Sequence, residues 1–537
     1  MSSSSEWLTR SPIYSLLAES IPTPLLFLTI IAFLLLGVVA LNILNQLLFK
    51  DPNAPPLVFH LFPIVGSAVV YGIDPYKFFD DCRKKYGNVF TFVLLNKKVT
   101  VALGPEGNSL VLNGKLSEVN AEEAYSHLTT PVFGSDVVYD VPNAILMQQK
   151  KFIKAGLSTE NFKRYVSIIV HETLEHMEHH IFGNPETKSA VKDIFDVVSE
   201  ITICTASATL QGREVRENLD KSFAQLYHDL DGGFTPLNFV FPNLPLPSYR
   251  RRDRAQVEMT KFYQSIIQQR REQNRGGEDG DMLDNLQGQA YKDGRILTDK
   301  EIAHIMIALL MAGQHTSAAT GSWLLCHLAE RPDVVEELRK EQLETFGKSG
   351  QSGLEELDYE RLQTPLINAC IKEVLRLHPP IHSIMRKVKS PIVVPTTLAS
   401  IDEKTPYVIP SSHYVLAAPG VSQLDKSIWN DPHEFQPHRW LKSENPMQSP
   451  TSKPDEDLVD YGFGAISSGT NSPFLPFGAG RHRCIGEQFA YLQLASVAIT
   501  IIRHYDMKLP EGFPKPDYTT MLVCPRSPRN IEFIRRK

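Results

Sequence analysis

From Leu25 to Phe49 the chain is apolar almost without interruption; only Thr29, Asn42, Asn45 and Gln46 break the run. No polar face exists over Leu25–Leu41, which argues against a core helix. At about 1.5 Å per residue such a helix crosses a hydrocarbon layer of about 30 Å with some tilt. A cleaved signal peptide fits poorly, because the run is long, starts well inside the chain and lacks a basic leading region. The pattern therefore predicts a polar lead segment (1–24), one transmembrane anchor (25–49) and a proline-rich linker (50–63). That linker carries Pro52, Pro55, Pro56 and Pro63 and should be stiff and extended. Lys50, Lys77, Arg83, Lys84 and Lys85 favour a cytosolic side for everything after the anchor.

Beyond residue 64 the period changes repeatedly. Tyr76–Tyr86 reads as a helix, and Asn88–Leu95 and Lys98–Leu103 as short strands with turn signals between them. Residues 121–155 show no clean period, and their aromatics, Tyr125, Phe133 and Tyr139, read from the pattern alone as packing. Lys150 and Lys151 open a helical stretch, and 160–230 carries apolar positions at spacings of three and four. Gly232–Tyr249 is rich in Phe, Leu and Pro, Phe234 among them. It suits a segment that dips into a bilayer surface or lids a greasy pocket, and equally a buried connector. Arg275–Asp281 reads as a flexible charged loop.

Leu297–Ala329 is the longest helix after the anchor, opened by a Thr298/Glu301 capping box. In its middle lies Ala312-Gly313-Gln314-His315-Thr316-Ser317, and these polar and glycine residues disfavour regular helix. With apolar flanks on both sides, the pattern predicts a functional distortion there. Residues 333–347 and 366–378 are further helices, the second with Glu373 and Arg376 on one face. A second arginine, Arg439, follows in an irregular segment. Short strands are expected at Pro391–Val394, Tyr407–Val408 and Tyr414–Leu416, and a mobile polar insertion at 443–474.

Composition changes this picture little. The chain has 537 residues and a net charge of -6, so no nucleic-acid partner is implied. Its six cysteines are scattered without a CxxC pair, which excludes a disulfide framework or a zinc ribbon. One of them stands apart, in Phe477-Gly478-Ala-Gly480-Arg481-His482-Arg483-Cys484-Ile-Gly486. An apolar helix-like run follows at once, so Cys484 sits at a helix N-terminus, where backbone N–H groups and the helix dipole favour a thiolate. Glycines let the backbone approach something flat, and the basic flank supplies donors for carboxylates. A thiolate, close backbone and paired basic groups suit haem iron with its two propionates.

That stretch resembles the haem-binding loop of the cytochrome P-450 family, with His482 in place of the usual arginine. The mid-helix Thr316, the Glu373-x-x-Arg376 pair and the Pro437-x-Arg439 segment precede it in the family's order. The resemblance implies a mainly α fold: one helical haem-thiolate domain (64–537) with a small β region, behind one N-terminal transmembrane helix. It implies haem b with Cys484 as axial ligand of the iron, a loop that includes Phe477 and Gly478, O2 as cosubstrate, and a structural triad of Glu373, Arg376 and Arg439. Electrons would come from NADPH through NADPH-cytochrome P-450 reductase, with cytochrome b5 as a second donor.

Tyr125-x-x-Leu128-x-x-Pro131-x-Phe133-Gly134-x-x-Val137-x-Tyr139-Asp140, together with Gly313-Gln314-His315-Thr316-Ser317, is similar to the sterol 14α-demethylase subfamily of fungal type. The subfamily implies a sterol substrate and removal of its 14α-methyl group as formate in three oxidations, in ergosterol biosynthesis at the endoplasmic reticulum membrane, in contact with membrane lipid. It assigns Thr316 and His315 to catalysis, and Tyr125, Tyr139, Lys150, Arg386 and His482 to the propionates. Tyr125, Phe133, Tyr139 and Phe234 would then line the substrate cavity, which revises the packing role given to the aromatics above. A sterol side-chain desaturase and a non-catalytic haem-containing sterol sensor are the rival readings.

Overall fold

A computed structural model describes residues 23–219, 221–273, 280–347, 353–398, 406–441 and 469–536. The lead segment up to residue 22, most of the charged loop (274–279) and most of the polar insertion (442–468) lie outside the described residues.

The chain begins with helix α1 (Thr23–Leu48), whose apolar side chains are exposed along most of its length. Two described helices are long and apolar enough to cross a membrane. They differ in surroundings: the span Phe27–Leu48 is unburied, whereas Asp299–Glu330 is mostly enclosed by protein. The proline linker does not hang free at its end. Val58 N donates to Thr91 O at 2.7 Å and Thr91 N to Pro56 O at 2.8 Å, so 56–58 runs along the sheet edge.

Helices α2 (Ala68–Ile73) and α3 (Pro75–Tyr86) lead into strands β1 (Val89–Leu94) and β2 (Lys97–Ala102). Strands β3 (Val119–Asn120), β5 (Ile384–Val388) and β8 (Tyr414–Ala417) complete a five-stranded sheet of order β1-β2-β8-β5-β3. Its β2–β8 pair is parallel and the others antiparallel. Strand β4 (Ser189–Asp193), which helical periodicity alone had assigned to helix, pairs with the final strand β12 (Asn530–Arg535), and β12 pairs in turn with β9 (Tyr505–Lys508). Sequence period could not reveal β4, because its residues are mostly exposed and its partner is at the other end of the chain.

Residues 121–155 are the main correction to the sequence reading. They form helix α4 (Glu122–Phe133), a 3-10 turn (Val138–Asp140) and helix α5 (Asn143–Gly156). Neither helix has a side-chain cap, and Pro131 sits in the last turn of α4, so the usual start and stop signals are missing. Gly134 ends α4 at φ +99°, and a Cβ there would lie 2.4 Å from the His304 ring. Only glycine permits that approach, which seats the end of α4 on the central helix.

The helical body comprises α6 (Thr159–His176), α7 (Ile194–Ala206), α8 (Lys221–Asp231), the short α9 (Pro236–Val240), α10 (Pro247–Glu272), α11 (Asp299–Glu330), α12 (Pro332–Phe346), α13 (Pro365–Leu377) and α14 (Glu487–His504). The central α11 packs on α7, α10 and α14 around the main apolar cluster. Its start is the expected capping box: Glu301 N donates to Thr298 Oγ1 at 3.2 Å and Thr298 N to Glu301 Oε2 at 2.9 Å. The expected distortion at 312–317 is not present, for α11 runs through unbroken. The hydroxyls are absorbed instead. Thr316 Oγ1 donates back to Ala312 O at 2.8 Å, an i−4 bond that helical geometry tolerates.

Candidate functional site

The cysteine loop is built by its glycines. Gly478 and Gly480 have φ of +68° and +65°, and a Cβ at Gly480 would meet Leu112 O at 2.6 Å. Phe477, whose ring lies 5.8 Å from that of Tyr491 on α14, accepts the N–H of Cys484 through its carbonyl at 3.0 Å. Gly486 is the N-cap of α14, so Cys484 lies just before a helix start. A Cβ at Gly486 would meet Cys484 Sγ at an ordinary 3.7 Å, so packing within the protein does not itself demand glycine there.

Burial pushes the Cys484 thiol up, and the Gly486 N–H, Lys150 and Arg483 pull it down without prevailing. Burial thus opposes the helix terminus at this sulfur, and a bound metal cation would favour the thiolate by its own charge. The other five cysteines are packed thiols raised by burial. Cys484 differs from them in being accessible while protein surrounds it on all sides, which marks an internal space at the sulfur.

Basic and phenolic groups converge beside this loop from four elements. Lys150, in the middle of α5 rather than at its start, donates to Arg481 O at 3.1 Å and Arg483 O at 2.8 Å. Arg386 on β5 is 4 % exposed and donates to Met385 O at 2.8 Å. Tyr125 on α4 accepts the Met385 N–H at 2.8 Å through its hydroxyl oxygen and stacks on Tyr139 at 5.5 Å. His482 lies 6.0 Å from the Tyr139 ring, centroid to centroid. Burial drives the Lys150 ammonium down to about 8, and burial with the charges of Arg386, Lys150 and Arg481 drives His482 down to about 2. Cations crowded together in a dry place are stabilised by anions placed among them. The donor set thus fits a ligand with two carboxylates, and the accessible sulfur fits a metal beside them.

Phe133, at the end of α4, lies 5.3 Å from Phe234, in the turn between α8 and α9. Thr316 shares a face of α11 with Ala312, and Ala312 is exposed where its neighbours from Met311 to Ser317 are buried or half-buried. His315 projects differently: its Nε2 lies 2.9 Å from Tyr227 Oη and 3.0 Å from Asp231 Oδ1, both on α8. Neither partner stood out in the sequence, since a Tyr and an Asp on an amphipathic helix carry no local signal.

The charge triad is assembled. Glu373 and Arg376 are fully buried, joined by Arg376 Nη2 to Glu373 Oε1 at 2.8 Å and Arg376 Nε to Oε2 at 2.9 Å. Arg439 Nε reaches Glu373 Oε1 at 3.0 Å. Two further donors were missed in the sequence: Trp440 Nε1 at 2.8 Å and the Gln436 backbone N–H at 3.0 Å. Arg376 spends its remaining donors on the carbonyls of Gln423, Pro432 and Glu434, which ties the irregular segment 423–440 to α13.

The cytochrome P450 family model matches residues 55–533, nearly the whole chain. The chain belongs to the cytochrome P450 family. This cytochrome P450 is 56 % identical over 515 residues to the lanosterol 14-alpha demethylase of Mycosarcoma maydis, across 93 % of its own length and 91 % of that protein's. It is 51 % identical over 514 residues to the eburicol 14-alpha-demethylase of Uncinula necator, across 95 % of both. The solved structure of a retinoic acid-bound cyanobacterial relative, CYP120A1, superposes with a TM-score of 0.72 at 19 % identity, over 91 % of this chain and all of that one. That likeness establishes the fold. As a cytochrome P450 the chain takes haem iron and O2, and the accessible Cys484 with its neighbouring cations fits that group.

Proposed function

We propose that this cytochrome P450 removes the 14α-methyl group of a sterol such as lanosterol or its 24-methylene analogue. One observation carries the reading: near-full-length likeness, at 56 % and 51 % identity, to two proteins named for that reaction. Cys484 would hold the haem iron, with Phe477 and Gly478 in the same loop, and Tyr125, Tyr139, Lys150, Arg386 and His482 would hold the propionates. When bound, the haem activates O2 with electrons from NADPH, delivered by NADPH-cytochrome P450 reductase or in part by cytochrome b5. The remaining work falls to the protein. Tyr125, Phe133, Tyr139 and Phe234 form an apolar wall that orients a rigid ring system and excludes water. Thr316 holds a proton at its hydroxyl, and His315, tied to Asp231, renews it from the surface side of α11. Helix α1 anchors the enzyme in the endoplasmic reticulum membrane with the catalytic domain (64–537) on the cytosolic side.

Incubation with reductase, NADPH and lanosterol carrying a labelled 14α-methyl group tests the reading. The expected products are a sterol with a new ring double bond and one labelled formate per sterol, for three O2 and three NADPH consumed. A hydroxylated sterol that keeps the methyl, or a new side-chain double bond, would refute it. A sterol sensor would consume no NADPH.

Replacing Thr316 with alanine removes a methyl and a hydroxyl whose bond is to its own helix, so α11 should persist. The substrate-induced spectral shift should stay, while product formation drops about 10²-fold, the usual scale of a lost proton-transfer group. Electrons should then emerge as peroxide. Loss of sterol binding with unchanged coupling of NADPH to product would reverse the assignment.

A further inference from the structure

The anchor helix is not a plain apolar rod. Val39, Asn42, Ile43 and Gln46 fall on one stripe at spacings of three and four, and they are half-buried while their neighbours on α1 are exposed. The two carboxamides of that stripe face the catalytic body. Asn42 Nδ2 donates to His60 O at 2.9 Å and to Leu61 O at 2.9 Å. Gln46 Nε2 donates to His60 O at 2.8 Å, and its Oε1 accepts the His60 N–H at 3.1 Å. Gln46 thus pairs with the backbone of His60 in the manner of a neighbouring strand.

An amide in an apolar helix beside a bilayer needs a partner, and here the partner is backbone of the catalytic domain. The bonded segment is itself fixed, because 56–58 is hydrogen-bonded along β1 and His60 is buried with Nδ1 3.1 Å from Val58 O. The intervening 49–55 is a proline-containing connector that would otherwise act as a swivel. Around the latch, Phe59, Phe62, Ile64, Val69, Val70 and Ile73 are between 46 and 70 % exposed, an apolar rim that follows α1 after the connector.

We propose that Asn42 and Gln46 form a polar latch that fixes the angle between the anchor helix and the catalytic body. The latch holds the apolar rim of 59–73 at one depth in the lipid. The inference rests on the reading of α1 as a spanning helix.

The test compares the full-length holoenzyme with its Asn42→Leu/Gln46→Leu variant in phosphatidylcholine vesicles. In the unaltered protein the His60 amide, held by Gln46 Oε1, should exchange slowly with solvent. In the variant it should exchange at least about tenfold faster, as expected when a local hydrogen-bonded unit opens. The KM for vesicle-borne sterol should rise with kcat unchanged, and in detergent micelles the two proteins should share one KM. Asn45→Leu lies on an exposed face of the same helix and serves as control. Equal acceleration by Asn45→Leu, or unchanged exchange in the double variant, overturns the latch. Alkaline carbonate extraction separates the two readings. Release of the unaltered protein overturns the spanning helix and the latch with it, whereas retention with unchanged exchange overturns the latch alone.

Discussion

Replacing Cys484 with serine should abolish the red-shifted Soret band of the carbonyl-bound ferrous protein and reduce demethylation to background. Of the six cysteines, Cys484 alone is both exposed and set beside Lys150 and Arg483 at a helix start; the other five are buried or half-buried. A serine hydroxyl stays protonated where a thiol gives up its proton to a metal. The loop should survive the change, because its turns depend on Gly478 and Gly480 and on the Cys484 N–H, none of which the substitution touches. The absorption spectrum of the carbonyl complex and the thermal midpoint together decide the matter. A normal red-shifted band in a folded Cys484→Ser protein would mean that another group ligates the iron.

Changing Glu373 to glutamine should destabilise the protein by about 3–5 kcal/mol, the cost of leaving a buried charge without its partner. Glu373 accepts from Arg376, Arg439, Trp440 and the Gln436 N–H, and no water reaches the Glu373–Arg376 pair. A carboxamide of the same shape turns one acceptor into a donor that faces guanidinium groups. Because total stability of a domain is about 5–15 kcal/mol, such a loss approaches the whole. The segment 423–440 should loosen first, since Arg376 holds its carbonyls, and haem retention should fall with it. Denaturant titration and the haem-to-protein ratio measure both effects. An unchanged midpoint would show that the triad is dispensable to the fold.

The sequence disclosed the features whose signal is local. The apolar run at 25–49 is broken at only four positions; the capping box at Thr298 is a four-residue code; the cysteine loop carries Gly478 and Gly480 at positions that adopt positive φ. The triad was legible only through family likeness, since an i, i+3 Glu–Arg pair is ordinarily a solvated one. What stayed hidden depends on distant partners. Residues 121–155 are helical because Gly134 and His304 fit together and because Tyr125 and Gln149 find partners on Met385 and Tyr291, none of them near in sequence. The polar cluster at 312–317 marked the right place but not the right geometry, because Thr316 satisfies itself within the helix. At Cys484 the sequence showed the helix dipole and could not show the burial that opposes it.

The pairing of β12 with β4 bears on how the protein is made. Arg529 and Asp193, joined at 2.9 Å beside this sheet, lie 336 positions apart in sequence. At the usual rate of translation the ribosome needs about 20–70 s to cover that distance. Throughout that time α7 and its preceding strand wait with an open edge. Closure of the three-stranded sheet comes only once 530–535 has left the ribosome. A premature stop before Asn530 would therefore remove the middle strand of that sheet.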